Sequence, residues 1–308
     1  MINANELTQK VRELLPESDY IIEARSIEKN NGVMLTGIVI GKKGAPIAPT
    51  LYYDSASEQS VNNLAVNLVE DYYKHMESEI GRFCQNFHDE GLFLTKDFVT
   101  KNVVPIVVNE DKNKHMLDKM PHFHIISDLC YIFKIPVFEK RDVVTGWITL
   151  TDDLIATIDG LTVDKIRAAA LNNIHDNFEC RSIIDFLIDK GYLDDAPEEI
   201  VEAMKEQNPM NFITNKTRTY GANCLLNDDI LKEALAQCCS DAMVIIPSSI
   251  HECITLPLEN GMDAEDIDNL IRMVNVDDVD PEEVLSDYSL IYDGDDLVAT
   301  KDYLKHIA

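Results

Sequence analysis

A chain of 308 residues, 45% apolar and 27% charged, has room for one large or two ordinary domains and is too apolar to be disordered. Its net charge of −28 excludes a nonspecific nucleic-acid binder, because phosphate contacts need a cationic face. No apolar run approaches the roughly 18 residues that span a bilayer, and Met1–Glu6 lacks the charged head and apolar middle of a secretion signal.

In chain order, Leu7, Val11, Leu14 and Leu15 have helical spacing that ends at Pro16. Tyr20 to Ile27 and Val33 to Ile40 read as strands joined by Lys29-Asn30-Asn31-Gly32, since Asn-Gly suits a hairpin turn that needs positive φ. Gly41-Lys42-Lys43-Gly44 makes a second turn and Pro49 to Tyr53 a third strand. Gly41–Gly44 is not a phosphate loop, because strands flank it and the Gly-Lys-Ser/Thr ending is missing. Val61 to Ile80 follows as a helix with Leu64, Leu68, Tyr72 and Met76 on one stripe. Residues 1–95 are therefore expected to form an α-β-β-β-α unit, with residues 96–308 as a second α+β domain.

In that second part, 103–108 and 147–150 read as strands and 123–138 as β-rich. Helices are predicted at 163–174, capped by Thr162, at 181–190, stopped by Gly191, and at 198–207, opened by Pro197. From Asn211 the order is strand, turn (215–218), strand (222–226), helix (228–239), strand (243–246), turn and strand (254–256). A helix at 264–274, with Ile267, Leu270, Ile271 and Val274 as its core face, precedes a strand near 289–292. Hairpins clustered between helices, rather than βαβ alternation, predict an α+β fold of one or two sheets with helices on one face.

The stretches Lys29-Asn-Asn-Gly-Val with Pro49-Thr50, Phe212-Ile-Thr-Asn-Lys with Tyr220-Gly-Ala, Ile246-Pro-Ser-Ser-Ile-His-Glu and Pro281-Glu-Glu-Val-Leu-Ser-Asp resemble one uncharacterised bacterial family, catalogued as a domain of unknown function. The resemblance covers nearly the whole chain. It implies an α+β fold and supplies no activity, cofactor or catalytic residue.

The chemically richest turn is Pro247 to Glu252. Acyl transfer needs a serine oxygen hydrogen-bonded to an imidazole that a carboxylate orients, so Ser249, His251 and Glu252 are the catalytic candidates of a hydrolase-like alternative. Crowding into one turn argues against that geometry, and Gly-x-Ser-x-Gly is absent. Lys216, Arg218 and Tyr220 are the binding candidates, since two cations in one turn of an acidic protein can hold an anion or carboxylate. His122 and His124 alternate as paired metal ligands can, with Asp128 and His115 nearby, but no spacing completes a zinc set, so neither metal nor cofactor is expected. Asp277–Asp280 and Asp293–Asp296 lack the closing glutamate of a calcium loop.

The seven cysteines form no CxxC pair, which points to reduced thiols in a cytoplasm. Residues 1–60 carry eight acids and six bases, whereas 257–308 carry fifteen acids and three bases. The expectation is an acidic cytosolic binding or regulatory protein without catalytic activity, engaging a basic protein partner and neither membrane nor nucleic acid. A DNA-mimic inhibitor is the other alternative.

Overall fold

The structure is a computed structural model that describes residues 2–15, 19–43, 48–78, 81, 94–140, 143–174, 178–189, 191–193, 196–207 and 209–307. The chain is α+β, and its strands divide among three antiparallel sheets where the sequence pattern pointed to one or two. It forms two compact units, residues 1–95 with 137–146 and residues 96–136 with 147–308. No helix among the described residues is long and apolar enough to cross a membrane.

The first unit begins with helix Ala4–Leu14, whose first turn is capped by the Asn3 side chain accepting from Asn5 and Glu6 N–H groups. β1 (Tyr20–Glu28), β2 (Met34–Lys42) and β3 (Thr50–Tyr52) form the expected meander. Between β1 and β2, Asn31 at φ 60° and Gly32 at φ 70° take the left-handed turn that Asn-Gly encodes. Helix Val61–Glu77 lays Leu64, Leu68 and Tyr72 into one core with Leu7, Val11, Ile22, Ile38 and Ile40. Burying each such side chain contributes on the order of 1.5–3 kcal/mol. Gly41 and Lys42 belong to β2, and Gly44, Pro16 and Cys84 lie outside the described residues.

A second sheet pairs β4 (Val104–Asn109), β6 (Leu129–Lys140) and β5 (Phe123–Ile126) in that order, with β7 (Val143–Thr149) paired to β6; residues 137–146 of these strands belong to the first unit and the rest to the second. Ser127, at φ 53°, turns the chain between β5 and β6. The six-stranded sheet runs β13 (Leu297–Ala299), β12 (Leu290–Tyr292), β10 (Met243–Ile246), β11 (Glu252–Pro257), β9 (Asn211–Asn215) and β8 (Phe178–Ser182).

Two expected elements differ. The helix read over 181–190 begins only at Ile183, because Arg181 and Ser182 are the end of β8, paired with Phe212 and Asn211. The strand read over 222–226 is a 3-10 segment, Gly221–Leu226. Gly221 packs so closely that a Cβ there would lie 2.5 Å from the His251 carbonyl oxygen and 2.7 Å from Asn215 N, and both edges of β9 are already taken by β8 and β11. Asn223 then anchors the segment by donating to the Pro105 carbonyl at 3.0 Å. Helices Lys96–Asn102 and Thr300–Ile307 and strand β13 have no counterpart among the elements expected from the sequence.

Candidate functional site

The corner between β10 and β11 is knitted by its own side chains. The Ser249 hydroxyl donates to Glu252 Oε1 at 2.9 Å and Ser248 reaches the same oxygen at 3.3 Å. The His251 N–H donates to Ser249 Oγ, and Ser249 N–H donates to the Glu252 carbonyl. The imidazole is oriented by other segments. Its Nδ1 accepts the Tyr220 backbone N–H at 3.1 Å, so its ring proton sits on Nε2, which faces Glu283 Oε1 at 3.3 Å. Both ring nitrogens are thus engaged, and neither Ser248 nor Ser249 bonds to them through its hydroxyl. Ser249, His251 and Glu252 adjoin without the serine-to-imidazole bond that nucleophilic activation requires.

The loop leaving β9 is held by Asn215, which accepts from Thr217 Oγ1 and Thr219 N–H and donates to the Thr219 carbonyl. Within it Arg218 (φ 51°) and Tyr220 (φ 57°) are left-handed non-glycine residues, a conformation costing on the order of 1–3 kcal/mol each and concentrated at ligand sites. Tyr220 packs edge-on against Trp147, and its hydroxyl accepts from Lys134 Nζ at 2.9 Å. Lys216 is exposed.

Strand pairing then builds a cavity of about 150 Å³. Glu179 on β8 and Glu252 on β11 both lie opposite Thr214 on β9, so the three side chains share one row on one face. Two residues along that face, Arg181 pairs with Phe212. Phe186, from the helix after β8, meets Phe212 edge-on at 5.3 Å between centroids. Arg218 completes the wall, its guanidinium 5.9 Å from the Phe186 ring centre. Of the binding candidates Arg218 lines the cavity, and so does Glu252; Lys216, Tyr220 and His251 do not. The contributions of Glu179, Arg181 and Phe186 depend on inter-strand register, which no local motif carries.

His122 and His124 go to separate partners. His124 Nδ1 meets Glu110 Oε2 at 2.6 Å, while His122 Nδ1 meets the Met120 carbonyl at 3.1 Å. Asp128 is committed elsewhere: it is buried, accepting from Asn109 Nδ2 at 2.7 Å and Ser286 Oγ at 2.5 Å. Burial pushes its carboxyl above the usual range, and these two hydrogen bonds oppose the rise. Among the described residues no group of three His, Cys, Asp or Glu could hold a metal. Asp293 is a turn former, accepting from the Asp295 and Asp296 N–H groups.

The acidic end of the chain holds the second surface of interest. Helix Ala264–Asp277 turns Asp268 and Asn275 inward. Asp268 Oδ1 accepts from Ser289 N and Oγ, both at 2.8 Å, and Asn275 donates to the Ser286 carbonyl and Asp287 Oδ1. That polar anchoring sets the roll of the helix and corrects the expected core face. Ile271 is buried, but Leu270 is 53% exposed and Val274 39%, beside Met273 at 55% and Val276 at 83%.

These features define an α+β protein with a charged cavity on its six-stranded sheet and a helix, Ala264–Asp277, in an acidic stretch. Residues 3–294 match the family of unknown function DUF5688, and the chain belongs to that family. No curated protein and no solved structure matches the chain.

Proposed function

We propose that this is a non-catalytic binding protein that engages a basic, amphipathic segment of a partner protein through the outer face of helix Ala264–Asp277. The carrying observation is the exposed stripe Leu270, Met273, Val274 and Val276, set in a stretch with fifteen acids against three bases. Exposed apolar residues grouped on one helix mark an interaction surface, and the surrounding carboxylates favour a cationic occupant. Asp266, Asp277, Asp278 and Asp280 are all exposed around that stripe. The engaged nitrogens of His251 support a recognition role over hydrolysis. The described cysteines are unpaired thiols, which supports a cytoplasmic setting, and the motif resemblance supports a bacterial one.

The test is titration of a synthetic Lys/Leu amphipathic helical peptide, followed by fluorescence anisotropy at low salt and at about 0.5 M salt. Binding at low salt, weakened by salt and reduced about tenfold by Met273→Asp or Val276→Asp, is the expected result. Absence of binding at low salt, or equal binding by both variants, overturns the proposal. So does a dimer of the wild-type chain that Met273→Asp dissociates, since the occupant would then be a second copy.

A further inference from the structure

The cavity on β8, β9 and β11 carries an inference independent of the helix surface. We propose that it binds a free α-amino acid with an aromatic or branched apolar side chain. Three kinds of group meet there: guanidiniums (Arg218, and Arg181, which is already engaged within the protein), carboxylates (Glu179 and Glu252) and an aromatic corner (Phe186 with Phe212). Among the described residues neither Glu179 nor Arg218 has an ion-pair partner within the protein. Glu252 receives both serine hydroxyls on Oε1, and no described residue bonds to its Oε2. The serines therefore hold that carboxylate in place while leaving an oxygen for an incoming donor.

A ligand satisfying all three groups must carry a carboxylate, an ammonium and an apolar body. The planar fork of Arg218 suits the carboxylate. Glu179 and Glu252 flank Thr214 from the two neighbouring strands, each roughly 4.8 Å away in the sheet, and so bracket a place for an ammonium. The T-shaped Phe186–Phe212 pair offers ring surface to the side chain. Size and field agree. A cavity of about 150 Å³ lies below the roughly 300–1,000 Å³ of drug-sized sites. A chain of net charge −28 repels anions, whereas a zwitterion approaches without that penalty.

Isothermal titration calorimetry on the full chain tests this with L-phenylalanine, L-leucine, L-phenylalaninamide and N-acetyl-L-phenylalanine. Saturable binding of L-phenylalanine or L-leucine is expected, with the amide and the acetyl derivative each weaker by at least about tenfold. Arg218→Gln should weaken L-phenylalanine about tenfold while leaving the amide unchanged, because the amide lacks the carboxylate that Arg218 would hold. Glu179→Gln serves as an independent variant from a different strand, paired with the acetyl derivative in the same way. Absence of binding by both amino acids to folded protein overturns the proposal. Binding of the amide and the acetyl derivative as tight as that of L-phenylalanine, or binding indifferent to both substitutions, does so too.

Discussion

The sheet formed by β8, β9 and β11 and the helix Ala264–Asp277 solve the same problem with opposite polarity. On the strands, alternation sorts residues as expected: Glu179, Thr214 and Glu252 line the outer cavity, while Cys180, Ile213 and Cys253 form the next row along the strands, on the opposite face. Ile213 and Cys253 are fully buried. The helix inverts the arrangement, with Asp268 and Asn275 inside and Leu270, Met273, Val274 and Val276 outside. A sheet face is assigned by a period of two that every residue obeys. A helix can roll, so a few strong polar bonds at its base decide which stripe meets the core.

The largest expected effect sharpens the strand side of this contrast. Burial pushes the Cys180 thiol up to about 12 from an ordinary 9.0, and Cys253 is raised well above 9.0 as well. The reactive species is the thiolate, so at pH 8 Cys180 holds about a thousandfold less of it than an ordinary thiol. Iodoacetamide labelling read by peptide mass spectrometry should modify exposed Cys239 within minutes, while Cys180 and Cys253 react only in denaturant. Prompt labelling of Cys253 in the native protein would mean that the inner face is not closed.

A smaller effect tests the helix side. Asp268→Ala leaves the Ser289 N–H and hydroxyl, both buried, without their acceptor. That costs on the order of 2–3 kcal/mol, seen as a lower urea midpoint at unchanged slope. Asp268→Asn keeps one carbonyl acceptor and should recover part of the loss. If Asp268→Ala is silent, the roll of the helix has another cause.

Legibility in the sequence follows the range of the interaction that decides each element. Asn31-Gly32 announced its turn because positive φ is a property of those two residues, and helix 61–77 showed its stripe because Leu64, Leu68 and Tyr72 face one contiguous core. Thr162 capped its helix as read, accepting from Lys165 N–H. The segment 222–226 was misread because its apolar composition suits a strand, whereas the tight seat of Gly221 under His251 is set by a strand far along the chain. The cavity was half legible: Arg218 and Glu252 stood out as charges in turns, but Glu179 joins them only through the pairing of β8 with β9. The inward bonds of Asp268 and Asn275 were invisible, since their partners at 286–289 are reached only after the chain reverses.

The smallest expected effect on stability separates surface from core on the same helix. Met273 and Val276 are 55% and 83% exposed, so replacing either with Asp removes little buried area. Away from caps and buried networks such changes stay within about ±0.5 kcal/mol. Met273→Asp and Val276→Asp should therefore melt within a degree or two of the parent, near the limit of resolution for a chain of this size. A destabilisation above about 2 kcal/mol would show that these side chains are packed in the folded protein. They would then belong to the hydrophobic core, and the polarity of the helix would no longer be inverted relative to the sheet.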